Sequence, residues 1–151
     1  MKIFPLLVLF LSFLLPRAVD SPFEEALQEP AQEEEVGPLE ERMLVLKRGM
    51  RALRRGLKDP EKDAASLEIV TEMAAAVGQS KILPPPMIEA IPEEKRDDFL
   101  LEYRKSMVSM QIELLKLEMG LLEGDREAAK SSYESLKEME DAGHERFTED
   151  G

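Results

Sequence analysis

Between residues 39 and 57 the apolar side chains Leu39, Met43, Leu46, Met50, Leu53 and Leu57 recur at spacings of 4, 3, 4, 3 and 4. That spacing lays one apolar stripe along an α-helix. Lys47, Arg48, Arg51, Arg54, Arg55 and Lys58 fall on the other face at the same period. Asp59 followed by Pro60 offers a capping carboxylate and a preset φ, so a second helix is expected from there to about Lys81. Its buried stripe is read as Leu67, Val70, Ala74 and Val77. Pro84, Pro85 and Pro86 cannot continue a helix, and a longer loop follows. A third helix begins near Pro92, aligns Phe99, Tyr103, Met107, Met110, Leu114, Leu117 and Leu121, and stops at Gly124. Asp125 then caps a fourth helix running to about Phe147, with Tyr133, Leu136, Glu140, His144 and Phe147 on a shared stripe. Short connections make neighbours antiparallel, so the expected fold is all-α, an up-down-up-down four-helix bundle over residues 39–147 with 148–151 as a tail.

Two segments precede the helices. Lys2 and the apolar run from Ile3 to Leu15 have the form of a signal peptide over residues 1–18, with cleavage expected near Ala18. The run falls short of the roughly 20 apolar residues that span a bilayer, so no stable membrane anchor is expected and export to the periplasm is. Residues 19–38 are acidic and punctuated by proline, with Glu24, Glu25, Glu29, Glu33, Glu34 and Glu35, and are read as a flexible leader.

A chain of 151 residues suits one domain. Its abundance of Leu, Met, Ala, Glu, Lys and Arg agrees with the all-α reading. The absence of cysteine excludes disulfides, thiolate metal sites, thiol nucleophiles and covalent haem attachment. Twenty basic side chains oppose 32 acidic ones, and without Lys2 and Arg17 the balance is 18 against 32. Such a surface repels phosphate backbones, so nucleic acid is not an expected partner. The basic strip on the first helix is ordinarily a solvated face; a docking surface for an acidic redox partner is the alternative.

Candidate chemistry rests on Met43 and His144. In the expected topology the start of the first helix lies beside the end of the fourth. Met43 is then about 6 Å from its end of the bundle and His144 about 4.5 Å from the same end. A thioether and an imidazole at similar depth could meet a flat ligand from opposite sides, the axial arrangement of a His/Met haem. Each residue also has an ordinary role: Met fills bundle cores, and a lone His near a helix C-terminus meets the dipole. Di-iron carboxylate bundles need a Glu-x-x-His on each of two helices, whereas this chain has one His, preceded by Asp141 in an isolated Asp-x-x-His pair.

Three stretches carry a resemblance. LEERM at residues 39–43 opens the first helix, and a DF pair at Asp98 and Phe99 with Tyr103 one turn later follows the proline-rich loop. EAAKSSYESLKEMEDAGHERF at 127–147 forms the last helix. Together, over roughly residues 39–147, they resemble the soluble periplasmic cytochrome b562 family. The resemblance implies one non-covalent haem b (iron protoporphyrin IX) with Met43 and His144 as iron ligands and the rings of Phe99 and Tyr103 against the haem. It implies an electron carrier and no enzyme, with no catalytic residue, a periplasmic redox partner, and a monomer or weak dimer. Glu140 stands where the family often has an Arg near the porphyrin edge. A haem-free periplasmic interaction or chaperone-like bundle is the alternative.

Overall fold

The computed structural model describes residues 37–148, and within them the chain forms four α-helices: α1 (Pro38–Gly56), α2 (Asp63–Ser80), α3 (Glu93–Glu123) and α4 (Arg126–Phe147). Short 3-10 turns at Pro60–Lys62 and Pro86–Ala90 lead into α2 and α3. The expected signal peptide, the leader up to residue 36 and residues 149–151 lie outside the described residues. This is an all-α four-helix bundle.

Local signals account for the ends. Pro38 starts α1 without an N–H to satisfy, and Glu40 and Glu41 meet the positive end of the helix dipole. The Asp59 carboxylate accepts the Glu61 N–H at 3.1 Å as expected, but it caps the 3-10 turn, and α2 proper begins only at Asp63. Gly124 ends α3 at φ 71°, left-handed backbone that glycine adopts without a Cβ penalty. Asp125 caps α4 by accepting the Ala128 N–H at 3.0 Å.

The core follows the sequence stripes closely in α3, where all seven expected positions are buried. In α1, Leu46, Met50, Leu53 and Leu57 are buried while Leu39 and Met43 are half-buried. In α2 the stripe is rotated from expectation: Ser66, Val70, Met73, Ala76, Val77 and Ser80 are buried, and Leu67 and Ala74 only partly so. Small side chains set this rotation. Gly56 faces Ser66, whose hydroxyl would lie 2.5 Å from a Cβ there, and Gly49 accepts the Met73 thioether. From Gly49 to Gly56 the α2 partner therefore retreats from Met73 to Ser66. Contacts between α4 and α1 run in the same opposed sense: Arg126 donates to the Leu57 carbonyl at 2.6 Å, and the Tyr133 hydroxyl to the Met50 carbonyl at 3.4 Å.

Arg126 is a clamp. Besides the Leu57 carbonyl it holds the Asp63 carboxylate, so one half-buried guanidinium joins the end of α1 to the starts of α2 and α4. Charge-assisted bonds of this kind contribute about 1.5–3 kcal/mol. Arg126→Ala is expected to lower urea-unfolding stability by about 2 kcal/mol and to couple with Asp63→Ala in a double-mutant cycle. A loss within the ~0.5 kcal/mol of ordinary surface substitutions would show that the clamp is not used.

Candidate functional site

The α1–α4 seam is tied at one end and open at the other. Arg126 and Tyr133 close it at the level of Leu57 and Met50. Beyond Met50 the two helices flank a cavity of about 480 Å³, within the size range of small-molecule and cofactor sites. Leu39, Met43, Leu46 and Met50 line it from α1, and Leu136, Met139, His144 and Phe147 from α4. Met73 of α2, Met87 of the 3-10 turn, and Tyr103, Met107 and Met110 of α3 complete the walls.

Met43, His144 and Tyr103 thus line one cavity, while Phe99 does not. Phe99 instead packs edge-on against Phe147, with centroids 5.4 Å apart, and Phe147 meets Tyr103 in the same way at 5.3 Å. It is Phe147, placed between the two expected rings, that joins Tyr103 in the cavity wall. Phe99, expected beside Tyr103 at the site, stands behind Phe147 and outside the cavity lining.

His144 also departs from expectation. Its side chain is exposed at the rim, and along the supposed stripe burial falls from Leu136 (buried) through Glu140 (half-buried) to His144. The Leu57–Arg126 and Met50–Tyr133 ties fix the register of α4 against α1. Continued along both helices, they set Met43 level with Glu140 and His144 level with Leu39, an offset of about 6 Å, or one turn, between the two candidate ligands. The equal depth read from the sequence is therefore replaced by a stagger. Helical side chains lean toward their own N-terminus, so Met43 leans to the cavity mouth and His144 into the cavity, which narrows the gap.

Two features escaped the sequence reading. Seven of the chain's nine methionines line the cavity: Met43, Met50, Met73, Met87, Met107, Met110 and Met139. Four of them, Met43, Met50, Met107 and Met110, were visible only as separate positions on two helices, and the convergence of all seven needed the fold. Lys47, assigned to the outer basic face, also reaches the cavity, where it shares the polar rim with Glu40, Glu140 and His144. Its position four residues after Met43 was the available signal. Among the described residues no group of three or more His, Cys, Asp or Glu side chains is placed to hold a metal ion. One imidazole and seven thioethers line the cavity. No described helix is long and apolar enough to cross a membrane.

Tyr103 reports on the dryness of this region. Its hydroxyl donates to the Ser80 carbonyl at 3.2 Å, and burial pushes its pKa up to about 12. A raised folded-state pKa means that the folded protein holds its phenolic proton more tightly. The associated stability is fully present below pH ~10 and is lost as pH rises through about 12. Stability is expected to fall by on the order of 2 kcal/mol across that window, less so in Tyr103→Phe, in urea titrations at stepped pH. Identical alkaline slopes in the two proteins would remove Tyr103 as the cause.

Comparison with models of known protein families, with curated proteins and with solved structures returns no match to this chain.

Proposed function

We propose that the cavity holds one non-covalent haem b between Met43 and His144, and that the protein is a one-electron carrier exported to the periplasm, where a redox partner meets it. The observation that carries this reading is that the single imidazole of the chain and a thioether of α1 line one end of one largely apolar cavity. The resemblance of residues 39–43 and 127–147 to the cytochrome b562 family supports it from the sequence side.

The donor set suits the group. A neutral imidazole and a thioether are established axial ligands of haem iron, and their opposed lean brings them toward a common plane between α1 and α4. Tyr103, Phe147 and the methionines supply apolar, polarizable walls that exclude water and adapt to the shape of a flat ligand. At the rim, the Lys47 ammonium offers a partner for a carboxylate of the ligand, while Glu140 opposes one. Haem held there by Met43 and His144 would supply a single-electron iron couple. The protein's part is then to fix the ligands and the dielectric, which is a carrier's role and not an enzyme's.

Titration of the full chain with haemin tests this, followed by visible spectra before and after dithionite. One equivalent with sharp low-spin bands is expected, and featureless absorption would sink the proposal. A second reading, a haem-free interaction bundle, is favoured by one observation: a cavity walled by seven thioethers is plastic enough to receive varied apolar guests. An apolar fluorescent probe that binds at the cavity while haemin does not displace it would favour that reading.

A further inference from the structure

The outer face of α3 carries a second apolar stripe that the bundle leaves uncovered. Leu101, Val108, Ile112, Leu115, Met119 and Leu122 are exposed, from 40% at Val108 to 63% at Leu122. Their spacing of 7, 4, 3, 4 and 3 is the alternation of a coiled-coil seam, continuous over about 32 Å of helix. In heptad terms Leu101, Val108, Leu115 and Leu122 occupy d, and Lys105, Ile112 and Met119 occupy a. The inward stripe of α3, from Phe99 to Leu121, is spent on the bundle's own core. A single helix therefore presents two apolar faces, of which one has no partner among the described residues.

We infer that this face pairs with the same face of a second copy, as an antiparallel two-helix seam about a two-fold axis near position 110. The flanking charges select this arrangement. With Ile112 against Val108 of the other copy, Met119 falls against Leu101 and Leu115 against Lys105. The flanking positions then pair Arg104 with Glu118 and Lys116 with Glu102, each twice by symmetry, and place Gln111 against Gln111. An interface of this kind is self-complementary, as a two-fold axis requires. Sliding the helices by one heptad instead sets Glu102 against Glu123. A parallel, in-register pair stacks Lys105 on Lys105 and sets Glu118 against Glu123. Both alternatives place like charges together, which disfavours them.

The ion pairs that these residues make within one chain differ in how freely they can change partner. Arg146 meets Glu102 at 2.7 Å with both side chains more than half exposed, and exposed pairs of this type are worth little. Lys116 meets the nearly buried Glu113 carboxylate at 2.9 Å, so it reaches Glu102 of the other copy by sharing its ammonium with Glu113 rather than by leaving it. Lys105, facing Leu115, lays its methylene stem on the seam and keeps its ammonium in water, a device that fixes register at some cost in affinity. The inference does not depend on haem.

Sedimentation equilibrium of the full chain, as purified, tests it over micromolar to millimolar concentrations. A reversible monomer–dimer equilibrium is expected. Ile112→Glu should abolish it with the helical circular dichroism and melting temperature retained, because Ile112 is already half exposed. Arg104→Glu should weaken it by tenfold or more, and Arg104→Glu combined with Glu118→Arg should restore it, since the swap rebuilds the pair in reverse. A monomer at every concentration would overturn the inference. Association indifferent to Ile112→Glu would do the same, because it would lie elsewhere on the chain, the apolar N-terminal run included. A double swap that fails to rescue would overturn the antiparallel register.

Discussion

Gly120→Ala is expected to destabilise the bundle by about 2 kcal/mol, although alanine is the better helix former. Gly120 lies three residues before the end of α3, where the chain turns back into α4. A Cβ there would stand 2.8 Å from the Ala129 backbone nitrogen, 3.1 Å from the Asp125 carbonyl oxygen and 3.2 Å from the Ala129 Cα. Every one of these atoms belongs to backbone, so no side chain can swing aside. The Ala129 N–H is moreover committed to the Asp125 carbonyl at 3.0 Å, the first hydrogen bond of α4. Relief requires α3 and α4 to part, which loosens Leu117, Leu121 and Ala129, all fully or nearly fully buried. Overpacking of this kind costs about 1–3 kcal/mol or more, against a helix-propensity gain of about 1 kcal/mol. Gly78 is the internal control, because a Cβ there meets only the Gln111 side-chain nitrogen at 3.4 Å. Gly78→Ala should therefore raise the urea midpoint by the propensity gain while Gly120→Ala lowers it. Midpoints that move together would mean that the close approach of α3 and α4 does not exist in solution.

How far the sequence revealed the fold depended on contrast between positions. In α3, large apolar residues stand at every inward position, and the stripe from Phe99 to Leu121 was legible in full. In α2, alanines at 64, 65, 74, 75 and 76 blur that contrast, and the buried line runs through Ser66 and Ser80, whose small size rather than polarity suits them to close packing. The Ser80 hydroxyl satisfies itself on the Ala76 carbonyl at 2.9 Å, whereas that of Ser66 finds no partner. The α4 stripe went astray for a geometric reason. Steps of four residues each rotate about 40° past a full turn, so Leu136, Glu140 and His144 drift about 80° around the helix. Phe147, eleven residues after Leu136, returns to within about 20° of it and is buried. The same rotation brings Lys47 from the outer face of α1 to the cavity rim beside Met43. That Met43 and His144 lie at the same end of the bundle was readable from spacing. Their stagger, and the convergence of methionines from α1, α2, α3, α4 and a loop, depended on how the helices are tied.

His144→Ala and Met43→Ala are expected to act unequally on haem, and the asymmetry follows from where the two residues sit. Met43 is half-buried, packed against the core, and one of seven thioethers in the cavity. His144 is the chain's only imidazole, stands at the rim, and among the described residues makes no side-chain hydrogen bond. Losing it removes the chain's sole imidazole. Haemin affinity is expected to weaken by on the order of a thousandfold, equivalent to about 4 kcal/mol, with the low-spin spectrum gone. Losing the Met43 thioether leaves the imidazole in place, so haemin should still bind, more weakly by on the order of tenfold, with a high-spin, five-coordinate spectrum. Neither substitution should unfold the protein: His144 is exposed, and Met43→Ala removes a partly solvated side chain at the open end of the seam, so melting without haemin separates ligand loss from fold loss. Met50→Ala completes the test as a deeper thioether on the same stripe, which should leave the low-spin bands in place. Equal, small effects of all three would mean that haemin merely partitions into an apolar cavity, and the carrier reading would give way to the haem-free one.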